Sequence, residues 1–153
     1  MKVRLNYGLF SVLIFGFLMI GCMTQNQPIR ASYSLPDLVG VWEGSYFANQ
    51  GETGLTLTVW EDNGNYRATF YFFFLPGRTN TSLMSEGQHG SYYMRVTANH
   101  STRRYNLIGT EWINRPGPNW GFVDLEGVVH GDVFSGNAIG LGNRLTFRVV
   151  RKQ

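Results

Sequence analysis

From Val39 onward the chain alternates apolar and polar residues with a period of two, the spacing of half-buried strands rather than helices. Residues 40–46 predict a first strand with Trp42 and Tyr46 on one face. In residues 55–60, Leu55, Leu57 and Val59 alternate with Thr56, Thr58 and Trp60. Asn63-Gly64 follows, a strong hairpin signal because a tight two-residue turn needs positive φ at both positions. Residues 66–74 form a third strand whose five consecutive aromatics, Phe70 to Phe74, make both faces apolar; its outer face is therefore expected to be covered or in contact with something. Pro76-Gly77 ends it, and a polar stretch to Gly90 is the longest loop. Further strands are predicted at 91–98, 105–113, 122–129, 133–138 and 144–151, separated by turn residues. No segment beyond the N-terminal leader repeats apolar residues at i, i+3, i+4 and i+7 over a helical length.

Eight short antiparallel strands joined by tight turns predict an all-β fold, either an up-and-down barrel or a barrel-like sandwich. Closure removes the exposed edges that so many strands would otherwise present. With 43% hydrophobic, 15% aromatic and 15% charged residues, the composition argues against disorder. A single cysteine excludes an intramolecular disulfide and a Cys-cluster metal site.

The N-terminus differs in kind. Met1-Lys2-Val3-Arg4 precedes an apolar run from Gly8 to Ile20, which ends at Gly21-Cys22. A basic start, a short apolar run and a small residue describe a secretory signal peptide, and the run is shorter than the roughly 20 residues of a spanning helix. Leu18-Met19-Ile20-Gly21-Cys22 resembles the lipobox of bacterial lipoproteins, with Met19 where Leu is commonest. That resemblance implies a signal peptide over 1–21, a palmitate-type lipid on Cys22, a flexible tether over 22–37 and a mature domain over 38–153. It also implies a cell-envelope location. Met23 follows the cysteine where inner-membrane lipoproteins often carry Asp, so the outer membrane is expected. Losing residues 1–21 removes Lys2 and Arg4, lowering the formal charge from +3 to +1. The mature domain thus lacks the basic face that phosphate neutralisation needs, and nucleic acid is not an expected partner.

Two resemblances concern the domain. Gly40-Val41-Trp42 resembles the Gly-x-Trp signature of lipocalins, whose Trp packs at the closed barrel end, often beside a late Arg; this implies that part for Arg151. The size is similar to avidin-like barrels, although no biotin-contacting set matches. The segments Trp42-Glu43-Gly44-Ser45-Tyr46, Gln50-Gly51-Glu52-Thr53-Gly54-Leu55-Thr56-Leu57, Trp112-Ile113-Asn114-Arg115-Pro116 and Phe147-Arg148-Val149-Val150-Arg151 resemble a small exported bacterial all-β module. Members of that module often carry two cysteines, near Ala48 and Arg144, where this chain has none. The module implies a fold and no activity.

Candidate chemistry is sparse. Asp124 and Glu126 share a strand face, with Glu111 expected nearby. Paired carboxylates can hydrolyse glycosides, but acids alternating with Val123, Leu125 and Val129 are what a half-exposed strand shows. His89, His100 and His130 lie in or beside loops without metal-ligand spacing, and no Gly-x-Ser-x-Gly elbow is present. No catalytic residue, metal or cofactor other than the lipid on Cys22 is expected. The 112–120 loop stands apart because Trp112, Asn114, Arg115, Asn119 and Trp120 lie close together on a loop stiffened by Pro116 and Pro118. These residue types suit recognition of a sugar, a peptide or a protein hot spot, and equally suit rings that cover the barrel end. Two functions follow: a non-enzymatic lipoprotein that binds a small molecule, glycan or peptide, or an inhibitor or immunity-type lipoprotein that blocks a protein partner such as a cell-wall enzyme or a phage component. A deep cavity favours the first, and a filled barrel with an exposed aromatic loop favours the second.

Overall fold

A computed structural model describes residues 37–99, 101–140 and 142–153. The segment expected as signal peptide, Cys22, the expected tether through residue 36 and His100 lie outside the described residues. The eight strands are β1 (Gly40–Ala48), β2 (Gly51–Asp62), β3 (Asn65–Phe73), β4 (His89–Asn99), β5 (Arg104–Asn114), β6 (Asp124–His130), β7 (Val133–Gly140) and β8 (Asn143–Arg151). Each pairs antiparallel with its neighbour in sequence, and β8 returns to β1, so the sheet is a closed eight-stranded meander barrel. The expected all-β barrel is therefore the fold. The Asn63-Gly64 hairpin has φ of 51° and 79°, a turn whose twist matches its strands.

Inward positions build the core. Trp42, Leu57, Val59, Ala68, Phe70, Met94, Leu107, Leu125, Phe134 and Val149 are all buried. The outward positions of the strands mix charged residues, such as Glu43, Arg67, Arg95, Glu126 and Arg148, with exposed apolar ones, among them Phe47, Tyr71, Tyr93 and Val150, around an apolar interior. Glycines admit the curvature. A Cβ on Gly44 would meet Arg148 O at 2.2 Å, and one on Gly136 would meet Glu126 O at 2.1 Å, so neighbouring backbones approach too closely there for any side chain.

The aromatic third strand resolves by parity. Phe70 and Phe72 point into the core, whereas Tyr71 and Phe73 point outward. Phe73 lies across Gly54 on β2, where a Cβ would come within 2.4 Å of its ring. Tyr71 stays 39% exposed beside Phe73 and His89. The expected cover on the outer face is thus this chain's own glycine at one position, while the other faces solvent.

One end of the barrel is sealed. Trp42 donates its indole N–H to Leu38 O at 2.9 Å, and the Arg151 guanidinium lies 4.1 Å from the Trp42 ring centroid. Arg151 also donates to Val39 O at 2.6 Å and to Asp37 O. Gly40 is required twice over: its φ is +133°, and a Cβ would meet the Arg151 guanidinium at 2.8 Å. The Trp–Arg pairing that the Gly-x-Trp motif implies is present.

Candidate functional site

The opposite end carries the β1–β2, β3–β4, β5–β6 and β7–β8 connections, and there the interior is not filled. A cavity of about 380 Å³ opens between them. Its walls include Tyr46, Phe72, Tyr92, Trp120, Phe122 and Val123, with Gln50, Asn119 and Asn143 among the polar groups.

Strand parity supplies the aromatic side. Tyr46 follows Trp42 by four residues on the inner face of β1, and its ring meets Phe70 edge-on at 5.1 Å. Phe70 stacks on Tyr92 at 4.8 Å, and Phe72 stacks on Trp120 at 5.1 Å. Room for Phe72 comes from Gly90 opposite, where a Cβ would strike its ring at 2.5 Å. Trp112 stacks on Phe122 at 5.0 Å and meets Tyr92 edge-on at 5.0 Å. The buried hydroxyls are satisfied. Tyr92 donates to Val123 O at 2.8 Å and accepts from Val123 N at 3.1 Å, and Gln50 donates to the Tyr46 hydroxyl at 3.0 Å. Burial pushes both phenols above their ordinary range, so each is a neutral donor and acceptor.

The Tyr92–Val123 pair explains a departure from the alternation pattern. The sixth strand begins at Asp124 rather than Phe122, because the Tyr92 side chain takes both backbone groups of Val123. The β5–β6 ladder runs only from Arg104↔Val128 to Leu107↔Leu125. Beyond it Asp124 accepts from Gly109 N at 2.8 Å, and Phe122 packs over Gly109. The seam at the open end is therefore closed by side chains.

The five loop residues singled out above separate into two sets. Asn119 and Trp120 line the cavity. Trp112 belongs to the aromatic cluster beneath it, and Asn114 donates to His89 O at 3.4 Å. Arg115 is directed into its own loop, donating to Pro118 O at 2.6 Å and to Trp120 O at 2.8 Å, with its charge 5.7 Å from the Trp112 ring centroid. Both Trp rings are half-buried. Tyr46, Gln50, Phe72, Tyr92 and Asn143 were not anticipated as lining; each belongs to an ordinary strand pattern or turn, and only closure brings them to one mouth.

The acids are in structural use. Glu126 pairs with Arg104 at 3.4 Å and with Arg144, while Asp124 holds Gly109. Among the described residues no three His, Cys, Asp or Glu side chains converge as a metal site would require. No family model, curated protein or solved structure matches this chain.

Proposed function

We propose that the protein is a lipid-anchored binding protein of the bacterial cell envelope, held at the outer membrane through Cys22, which takes a small molecule into the open end of its barrel without transforming it. The cavity carries this reading. Ligand pockets are concave, largely apolar and furnished with a few fixed polar groups, and about 380 Å³ sits at the small end of their range. The alternative, an inhibitor presenting the 112–120 loop to a protein partner, draws less support. The rings of that loop are spent on Phe72, Tyr92 and Phe122, and its arginine on its own carbonyls.

The test is native mass spectrometry of the full chain extracted from membranes with its surrounding lipid. Wild type is expected to carry a small molecule that Leu145→Trp excludes, because Leu145 lines the mouth and is exposed enough to accept a larger ring. Equal occupancy in a folded variant places the ligand elsewhere; an empty wild type counts against a binding role.

A further inference from the structure

We infer that the ligand of the open end is an uncharged saccharide, an inference that rests on the binding role proposed above. Three observations converge. First, the described residues that line the cavity include no Asp, Glu, Lys, Arg or His. A charged ligand would leave water there without a countercharge, an unfavourable exchange. Second, the polar lining is amide and hydroxyl, contributed by every connection around the mouth. Asn49 and Gln50 come from the β1–β2 turn, Ser82 from the β3–β4 loop, Asn119 from the β5–β6 loop and Asn143 from the start of β8. Each amide offers both donors and an acceptor, the complement of a sugar hydroxyl or an N-acetyl group, which also gives and receives. A hydrocarbon ligand would cover the Asn119 amide and the spare donors and acceptors of the others without pairing them. Asn143 already spans the mouth, donating to Asn49 at 2.7 Å, whereas Asn119 makes no side-chain hydrogen bond with the described residues.

Third, the largest apolar groups of the lining are aromatic, beside Leu83, Val123, Ala138 and Leu145. Trp120 is backed by Phe72 at an interplanar angle of 26°, and Tyr92 and Phe122 complete the wall. A sugar ring has one face of C–H groups that lies against an aromatic plane while its edge carries hydroxyls. Flat rings beside amides at the mouth match that division better than a long acyl chain, for which a cavity of about 380 Å³ is short.

The experiment titrates the full chain in lipid nanodiscs with N,N′-diacetylchitobiose, following tryptophan emission, beside its de-acetylated diamine in mildly acidic buffer, where both amines are charged. The neutral sugar is expected to change the emission saturably and the diamine to bind at least about tenfold more weakly. Asn119→Leu should weaken the sugar roughly 3- to 10-fold, the worth of one hydrogen bond, and Trp120→Phe should remove most of the emission change while the far-ultraviolet spectrum stays that of a barrel. Benzyl alcohol separates the two levels of the argument. If it saturates a site abolished by Leu145→Trp and the sugar neither binds nor competes, the saccharide assignment is wrong and the binding role stands. If the diamine binds as well as the neutral sugar, the requirement for an uncharged ligand is wrong. If neither sugar nor alcohol binds, both levels fall.

Discussion

Trp42 shows how much one side chain carries. It is fully buried, capped by Leu38 O, and covered by the Arg151 guanidinium, which two further carbonyls hold in place. Trp42→Ala should therefore cost about 3–5 kcal/mol, read as a fall in the denaturant midpoint. Arg151→Ala, which loses a partly exposed cation–π contact, should cost about 1–2 kcal/mol. Arg103→Ala, in the exposed β4–β5 turn, should barely move the midpoint. The buried phenols set a pH limit. Their folded values lie above the ordinary 10.0 because burial disfavours the phenolate, so the unfolded chain loses these protons first as pH rises. Tyr46 and Tyr92 thus contribute stability that is complete below pH 10 and declines above it, by up to about 1.4 kcal/mol per pH unit for each. Phenolate absorbance should show these two ionising together with unfolding. If they titrate near 10.0 in a folded barrel, neither hydroxyl is buried.

Elements were more legible in the sequence than the surfaces they make together. Alternation located all eight strands, because a half-buried strand must put every second residue inside, and Asn63-Gly64 announced its turn through backbone geometry alone. The start of β6 escaped because the partner of Val123 is the hydroxyl of Tyr92, 31 residues away, and nothing local records such a bond. The cavity escaped for the same reason: Tyr46, Phe72 and Tyr92 look like ordinary core positions until closure leaves them facing space. Arg115 had the residue type of a recognition site, yet its guanidinium fastens the β5–β6 loop from within. Replacing it with Ala should free that loop rather than unfold the barrel. Three charge-assisted bonds to two carbonyls hold the loop, so amide exchange at Trp120, whose N–H donates to Gly117 O, should accelerate at least about tenfold. Unchanged exchange there would mean that the rings, not the arginine, hold the loop. Tyr92→Phe tests the seam itself: both backbone groups of Val123 lose their partner, at a cost of about 1–3 kcal/mol.

At the scale of the whole molecule the barrel divides its labour between its ends. Trp42, Leu38 and Arg151 seal one, and the turns of the other surround a cavity. The lipid proposed on Cys22 would fix such a domain to a membrane, and that proposal has a sharp consequence. Several outward charges of the barrel are paired, as in Arg67–Asp62, Arg104–Glu126 and Glu43 with Lys152 beyond β8. The lipid proposed on Cys22 would supply the membrane attachment. One chain binds only marginally and reversibly, whereas two or three bind durably. Cys22→Ser should abolish incorporation of an alkyne-tagged palmitate, and it should leave the chain either soluble after processing or retained as an uncleaved precursor. The barrel itself should be unaffected, with the thermal midpoint and near-ultraviolet spectrum of wild type. A Cys22→Ser chain that is fully processed and still sediments with membranes would place the anchor elsewhere.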